Sequence, residues 1–287
     1  MDTSFSPSQL PAVDESIENV GAGTAHFLQR HPWYIVATLV AMAVFEVVLV
    51  VDKGAANAGY YLVPLVFPLF TYNIARNKVQ HEFMQQFAAA NGFTYAARGA
   101  TDGLDGSLFQ IGHDRSVVDL VSGQFQNDPI SLFTYAYTTG YGKQRQVHHD
   151  TIFELQFDTA MPDMLLENVG HTFGESLSLK LSGSGKELVK LEGDFNQYFS
   201  LSIPKGYEVE ALEIFTPDIM QELIEKAKRF SLEIVNGHLF IYDNAVVGTK
   251  QGLYDLYGLA QYFVEKLGPV LARMKASTAA TMAAYQQ

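Results

Sequence analysis

Residues 132–157 read LFTYAYTTGYGKQRQVHHDTIFELQF. Apolar and polar side chains alternate over residues 132–137 and again over residues 151–157, on either side of a loop that contains Gly140 and Gly142. This period-two pattern is typical of strands with one covered face, and the glycine-containing loop favours a hairpin between them. The stretch therefore predicts two antiparallel strands, over residues 130–138 and 147–157.

Similar but shorter patterns occur on both sides of this hairpin. They predict further strands at residues 93–97, 107–111, 117–125, 177–181, 186–191, 199–203, 230–235 and 238–242. Helical spacing predicts an amphipathic helix over residues 77–91, a helix that begins at Thr216-Pro217-Asp218, and a long helix over about residues 251–275, bent near Gly268-Pro269. Strands and helices in this order predict an α+β fold, with a mainly antiparallel sheet and flanking helices.

Composition excludes several classes of protein. The chain has 287 residues, no cysteine, 19 Lys/Arg against 31 Asp/Glu and a formal net charge of -12. Without cysteine there is neither a disulfide framework nor a thiolate metal site. Nucleic-acid binding relies on clustered Lys and Arg, so a chain this acidic predicts no nucleic-acid partner.

Two apolar stretches near the N-terminus predict a membrane anchor. Residues 34–51 read YIVATLVAMAVFEVVLVV and residues 59–75 read GYYLVPLVFPLFTYNIA. Each is close to the roughly 17–25 residues that a helix needs to cross a bilayer, and aromatic residues lie at the ends. We expect a transmembrane helical hairpin over residues 33–76, in contact with lipid through residues 34–75. Two buried core helices are the alternative, and a cleaved signal peptide is disfavoured by the long acidic segment before the first stretch.

Basic residues close to the spans predict their orientation. Arg30 precedes the first span, Arg76 and Lys78 follow the second, and only Lys53 lies in the loop between them. The positive-inside rule then places the N- and C-terminal regions in the cytoplasm. Glu46 is the one charged residue within the spans, and an ionisable group inside a membrane suggests a function by default. Structural hydrogen bonding is the simpler interpretation of Glu46, and a transporter or channel subunit that oligomerises through the hairpin is the alternative.

The expected domain organisation has four parts. Residues 1–32 are predicted to be a flexible acidic tail, and residues 33–76 the hairpin. Residues 77–275 are predicted to form a soluble α+β domain that divides into two subdomains near residue 205. Residues 276–287 are an Ala-rich, low-complexity tail.

Three short segments carry a resemblance to a known family. They are DLVSG at residues 119–123, EGDF at residues 192–195 and LEIFTP at residues 212–217. Together with the hairpin and the amphipathic helix, they resemble an uncharacterised family of bacterial membrane-anchored proteins, classed as a domain of unknown function. The resemblance implies a bacterial inner-membrane protein with a cytoplasmic α+β domain, and it supplies no catalytic residues.

The densest group of chemically active side chains is His148, His149 and Asp150, with Asp114 as an additional ligand candidate. In a strand, His148 and Asp150 face one way and His149 the other. A metal site would need a further ligand from elsewhere, and the chain has no His-Glu-x-x-His spacing. A polar strand start is the simpler interpretation, so no metal and no cofactor is expected.

Two surfaces are candidates for binding a partner. Glu208, Glu210 and Glu213 begin an acidic stretch without a basic residue, and Glu208 and Glu210 would share one face if this segment were a strand. Tyr135, Tyr137 and Tyr141 could line an aromatic groove, although tyrosines at strand spacing are more often core residues.

These patterns favour a non-catalytic binding or scaffold module, anchored at the cytoplasmic face of the inner membrane and bound to a protein partner. Homo-oligomerisation is a further possibility. The alternative function is a membrane-tethered, metal-dependent hydrolase that uses the region of His148, His149 and Asp150.

Overall fold

The structure is a computed structural model, and it describes residues 19–53, 66–125, 127–157, 163–170 and 186–270. These residues belong to two compact units. The first contains residues 19–87 and 248–250, and the second contains the described residues 88–247 and 251–270. The predicted strand at 177–181, the tail at 276–287, the loop between the two apolar stretches and residues 1–18 of the predicted acidic tail lie outside the described residues.

The first unit is helical. It contains α1 (Val20–Arg30), α2 (Trp33–Lys53) and most of α3 (Val66–Ala90). The side chain of Asn19 caps α1 by accepting a hydrogen bond from the amide of Gly21 at 2.6 Å, and α1 buries Val20 and Thr24. A flexible tail is therefore the wrong description of residues 20–30, because a cap and two buried side chains hold them in a helix.

Helices α2 and α3 contact each other at two levels. The hydroxyls of Thr38 and Thr71 are hydrogen-bonded, and the rings of Phe45 and Phe67 lie 5.6 Å apart. Because the later residue of α2 contacts the earlier residue of α3, the two helices run antiparallel. Gly92 has a φ of +67°, a left-handed conformation that glycine adopts easily, and α3 ends two residues before it, as the sequence predicts.

The second unit is built on one sheet of nine strands, and every neighbouring pair is antiparallel. The strand order is β1-β2-β3-β4-β9-β8-β5-β7-β6. The strands are β1 (Thr94–Gly99), β2 (His113–Phe125), β3 (Asp128–Thr139), β4 (Gln146–Gln156), β5 (Met164–Asn168), β6 (Lys186–Val189), β7 (Phe199–Pro204), β8 (Ser231–Val235) and β9 (His238–Asp243). The predicted α+β class with a mainly antiparallel sheet is confirmed.

The hairpin predicted from residues 132–157 is formed by β3 and β4. Leu132 pairs with Phe153 and Tyr135 with Asp150, and the loop between the strands includes a short 3₁₀ helix, Gly142–Gln144. Strand β5 (Met164–Asn168) was not predicted, because its sequence MLLEN is short and does not alternate.

The sheet continues across residue 205, so the division predicted there does not exist. Strand β5 pairs with β7, which precedes residue 205, and with β8, which follows it. Between these strands the chain forms the short helices α4 (Phe195–Tyr198), α5 (Glu208–Ile214) and α6 (Pro217–Ala227). Helix α6 begins after its N-cap Thr216 with Pro217 in its first turn, as the sequence predicts.

One face of the sheet is covered by α7 (Lys250–Tyr262). The ring of Tyr257 lies 4.9 Å from Phe153 and 5.9 Å from Phe125, with T-shaped geometry in both contacts. Directly after α7, residues Phe263–Leu267 form a π-helix. This widened turn lies directly before Gly268-Pro269, where the sequence predicts a bend.

The opposite face is covered by residues 104–111. Leu108, Phe109 and Ile111 of this segment pack into the same core cluster as Phe133 and Phe240. The sequence predicts a strand at residues 107–111, and this prediction is wrong. The segment contains a 3₁₀ helix, Ser107–Gln110, because a buried carboxylate on β8 binds its first turn, as described below.

Candidate functional site

The outer surface of the hairpin α2–α3 is apolar. Thirteen of the twenty large hydrophobic side chains that are exposed among the described residues lie in residues 33–48 and 66–74. Examples are Val44, which is 57% exposed, and Leu69, which is 65% exposed. Monomeric soluble proteins rarely expose a continuous apolar patch of this kind, so the surface indicates contact with lipid or with another protein.

The polar side chains of α2 lie on its other side. Within residues 34–48 the polar residues are Tyr34, Thr38 and Glu46, and all three are half-buried, whereas every exposed residue is apolar. Thr38 donates its hydroxyl to the carbonyl of Tyr34 at 2.7 Å and also meets Thr71 of α3. Helix α2 therefore has the reverse of the polarity expected of a helix on the surface of a soluble protein.

Length and composition give a more limited result for these helices. Over the part of the chain that the structure describes, no single helix is both long enough and apolar enough to cross a membrane. One bent pair does so jointly, namely residues 20–30 with residues 33–48, whose axes meet at 77°.

The second candidate site is the His-Asp group of β4. His148 pairs with Tyr137, His149 with Ala136, and Asp150 with Tyr135. His148 and Asp150 thus share one face of the sheet, together with the two tyrosines opposite them, while His149 lies on the other face and is exposed.

Asp150 is the unusual member of this group because it is only 4% exposed. Burial raises the pKa of its carboxyl from 3.8 to about 7, the hydroxyl of Tyr137 lowers this pKa, and the charge of Asp243 raises it. Among the described residues, Asp150 Oδ2 and the hydroxyls of Tyr135 and Tyr137 have no hydrogen-bonding partner of ordinary geometry. Three polar atoms are therefore buried close together, and the neutral form of Asp150 is favoured up to neutral pH.

His148 is positioned by two contacts. Its ring stacks on Tyr137 at 4.8 Å with an interplanar angle of 16°, and its Nε2 lies 2.8 Å from Thr139 Oγ1. Burial lowers the pKa of His148, and the neighbouring charge of His149 lowers it further. The imidazole is therefore neutral near pH 7, as a metal ligand would require.

Asp114 is engaged elsewhere. Its Oδ2 lies 3.1 Å from His113 Nδ1 and 3.4 Å from Arg145 Nη2, and its side chain is 61% exposed. Nowhere in the described ranges do three or more His, Asp or Glu side chains come together in a way that could hold a metal ion. The structure thus places Asp114 in a surface ion pair and Asp150 in the core.

The predicted aromatic groove does not form at the surface. Tyr135 and Tyr137 are each 1% exposed and belong to the core cluster beneath residues 104–111. Tyr141 is 79% exposed and stacks on the ring of His113 at 4.6 Å. The alternation that suggested a binding face in fact marks the buried face of a central strand.

The acidic stretch begins with a helix, so the strand considered for it is wrong. Helix α5 contains Glu208, Glu210 and Glu213, and the two-residue periodicity of a strand does not apply to it. Ala211 and Ile214 are the buried positions of α5, while Val209 and Leu212 are 67% and 54% exposed. Glu208 and Glu213 flank these exposed apolar residues.

Glu233 is central to the packing and is not among the predicted site residues. Glu233 is 1% exposed and accepts hydrogen bonds from the amide of Ser107 at 2.7 Å, from the hydroxyl of Ser107, and from the hydroxyl of Tyr242 at 2.7 Å. The signal in the sequence was a charged residue within the apolar strand SLEIV. A buried carboxyl is tolerated when it is hydrogen-bonded, and both oxygens of Glu233 accept hydrogen bonds here.

A small cavity lies on the face of the sheet that α6 and α7 cover. It measures about 20 Å³ and has an entirely apolar lining: Met164, Leu166, Ile214, Phe215, Leu223, Leu232, Ile234 and Phe263. This is room for about one water molecule, and an apolar lining gives such a water no partner. The cavity is therefore a packing void and not a ligand site.

Comparison with known proteins gives a weak similarity to one solved structure. No protein-family model and no curated protein matches the chain. The crystal structure of the mycobacterial trehalose monomycolate transport factor A, TtfA, resembles the structure with a TM-score of 0.47 and 13% sequence identity. The matched region covers 64% of this chain and 92% of that one. Sequence identity at this level does not transfer a function.

Proposed function

We propose that the protein is a membrane-anchored binding module, held by the hairpin α2–α3 with its α+β domain at the membrane surface. The observation that carries the proposal is the reversed polarity of α2, whose exposed residues between 34 and 48 are all apolar while its polar side chains are half-buried. In water this arrangement is unfavourable, because burying one large apolar side chain gains about 1.5–3 kcal/mol. In the hydrocarbon core of a bilayer the same apolar surface is surrounded by apolar lipid chains, so it carries no such cost.

The proposed location is the inner membrane of a bacterium, with two spans and with both terminal regions in the cytoplasm. Arg30, Arg76 and Lys78 at one end of the hairpin, against Lys53 at the other, support this orientation. The resemblance to membrane-anchored bacterial proteins agrees with the same location.

The proposed role of the domain is to bind a protein partner and not to catalyse a reaction. The side chain best suited to acid–base chemistry, Asp150, is 4% exposed beneath the core cluster, where no substrate reaches it. Helix α5 presents Val209 and Leu212 to solvent between Glu208 and Glu213, a surface that suits a partner with apolar and basic residues. Reversing the charge of Glu208 and Glu213 should then weaken capture of that partner.

Fractionation of cells that express the full chain tests the anchor. The wild type is expected to remain in the membrane pellet after an alkaline carbonate wash and to be released by detergent. The double variant Val40→Arg, Val44→Arg places two charges on the exposed face of α2, at about 2.5–3.5 kcal/mol each near the bilayer centre. It should leave the membrane or be degraded.

Val147→Arg is the matched control, because Val147 is 55% exposed on β4 of the other unit. This control should fractionate like the wild type. A wild type that carbonate strips from the membrane would refute the anchor, as would a double variant that stays in the pellet.

Orientation can be tested with single cysteines, because the chain has none of its own. Lys143→Cys lies in the exposed loop after β3. A membrane-impermeant maleimide should label it only after the cells are permeabilised. Labelling of Lys143→Cys in intact cells would place the domain outside and overturn the cytoplasmic assignment.

A further inference from the structure

Helix α1 has a geometry suited to lying on a membrane surface. Its axis makes an angle of 77° with α2, so α1 is nearly parallel to the membrane plane if α2 crosses the bilayer. Phe27 of α1 contacts the rings of His31 at 4.5 Å and Tyr34 at 5.5 Å, which fixes α1 against the start of α2.

Three cationic side chains lie at this end of the hairpin. Because Thr38 meets Thr71 and the two helices are antiparallel, residues that precede Thr38 on α2 lie level with residues that follow Thr71 on α3. Arg30, at the end of α1, therefore lies near the level of Arg76 and Lys78. All three are exposed, and Lys78 Nζ lies 5.8 Å from the ring centre of Phe27. We call Arg30, Arg76 and Lys78 the basic collar.

Aromatic side chains accompany the basic collar. Trp33 is 58% exposed at the start of α2, and Tyr72 is 41% exposed on α3, one residue after the contact with Thr38. Trp and Tyr favour the headgroup region of a bilayer, because their rings combine apolar bodies with polar groups. The end of the hairpin that carries the basic collar therefore has the composition of a membrane–water interface.

We propose that the basic collar binds the phosphate groups of anionic phospholipids. The chain as a whole carries a net charge of -12, so an anionic membrane repels it on average, and any preference for anionic lipid has to come from these local cations. Glu82 is the acid one turn beyond Lys78 on α3, and it is also exposed. This inference rests on the proposed membrane anchor and adds to it the class of lipid that the protein selects.

The test uses the intrinsic fluorescence of Trp33, which is the single tryptophan of the chain. The full chain is reconstituted into bilayers of zwitterionic phosphatidylcholine that contain a fixed fraction of brominated lipid, with bromine near the glycerol end of the acyl chain. The brominated lipid is either phosphatidylglycerol or phosphatidylcholine. Bromine quenches tryptophan only at close range, so the two degrees of quenching compare the occupancies of the two lipids next to the basic collar.

Each cation near a membrane surface favours anionic lipid about fivefold. We expect brominated phosphatidylglycerol to occupy the collar at least about fivefold in preference to brominated phosphatidylcholine. In the triple variant Arg30→Gln, Arg76→Gln, Lys78→Gln this ratio should fall to about one. Higher salt should also reduce it, because the sites are exposed.

A second triple variant, Arg98→Gln, Arg115→Gln, Lys143→Gln, removes three exposed cations from the other unit and should keep the wild-type ratio. Equal quenching by the two lipids in the wild type would overturn the inference and leave the anchor intact. A preference for phosphatidylglycerol that persists in the triple variant Arg30→Gln, Arg76→Gln, Lys78→Gln would also overturn the inference and leave the anchor intact. If neither lipid quenches Trp33, the anchor itself fails, so the two failures are distinguishable.

Discussion

Replacing Asp150 by Asn should stabilise the domain at alkaline pH and change its stability little in acid. Asp150 is 4% exposed, and burial raises its pKa from 3.8 to about 7. In the folded protein the carboxyl therefore stays protonated at pH values where the unfolded chain has already lost the proton. Asn keeps the size and polarity of the protonated acid and cannot ionise.

The sign and the size of the effect follow from this pKa difference. At pH values below 3.8 the carboxyl is protonated in both states and has no effect on the free energy of unfolding. As the pH rises to about 7 the unfolded state is increasingly favoured, and above that value the loss is constant. One pKa unit corresponds to about 1.4 kcal/mol, so the full loss is about 4 kcal/mol. Most of it, about 3 kcal/mol, falls between about pH 5 and about pH 8.5.

Thermal unfolding of the full chain in non-ionic detergent, followed by far-UV circular dichroism, measures this difference. The advantage of Asp150→Asn over the wild type should grow by about 6–12 °C from about pH 5 to about pH 8.5, at about 2–4 °C per kcal/mol. His148, Tyr135, Tyr137 and Asp243 are present in both proteins, so the difference between the two curves reports on the carboxyl of Asp150.

Asp114→Asn is the control for this measurement, because Asp114 is an exposed acid at the start of β2. Its melting temperatures should follow those of the wild type at both pH values. If the Asp150→Asn curve also stays parallel to the wild-type curve, the carboxyl is not held protonated by burial, and the reasoning is refuted.

Three other substitutions probe the attachment of residues 104–111, and melting temperature measures each of them. Glu233→Ala removes the acceptor for Ser107 and Tyr242 and should cost about 3–5 kcal/mol, since it leaves buried donors unpaired. Gly106→Ala should cost about 1–3 kcal/mol, because a Cβ there would lie 2.2 Å from the hydroxyl of Tyr242, and Tyr242→Phe in the same chain should recover part of the loss. Gly103 has open space around it and a φ of +86°, so Gly103→Ala should cost about 1 kcal/mol of backbone strain. An equal cost at both glycines would contradict the steric argument for Gly106.

The sequence predicted the elements whose signals are local. The turn Asn236-Gly237 forms the hairpin β8–β9 with φ values of +50° and +78°, as the dipeptide requires for this turn. Thr216-Pro217 starts α6, and Asn91-Gly92 ends α3. Each of these signals acts within a few residues, so no distant contact is needed to interpret it.

The sequence failed where a distant residue decides the local structure. Residues 107–111 alternate like a strand, yet Glu233, more than a hundred positions away, binds the amide of Ser107 and favours a 3₁₀ turn. Residues 208–214 contain too few apolar positions to separate a strand from a helix, and the burial of Ala211 and Ile214 decides in favour of the helix. Tertiary packing overrides local pattern in both segments.

The candidate sites show the same limit. The alternation of Tyr135 and Tyr137 indicates one covered face of β3, but it does not say whether a ligand or the protein itself covers that face. In the structure the protein itself covers this face, because the ring of Phe109 lies 4.9 Å from that of Tyr135. Asp150, which pairs with Tyr135, is for this reason part of the core, whereas His149 lies exposed on the other face of the sheet.

The proposed anchor is the opposite case: local composition is the stronger signal, and the structure adds which side chains of residues 34–48 are exposed. A run of apolar residues fits a buried core helix as well as a lipid-facing one, because both lack contact with water. The two differ in where the polar residues point. In a helix covered by its own protein, polar side chains tend toward the outside, whereas in α2 Thr38 and Glu46 lie on the half-buried face and Val40 and Val44 lie on the exposed face. Only an apolar surrounding makes this polarity favourable, and the cations and aromatic rings at one end of the hairpin mark where that surrounding would meet water.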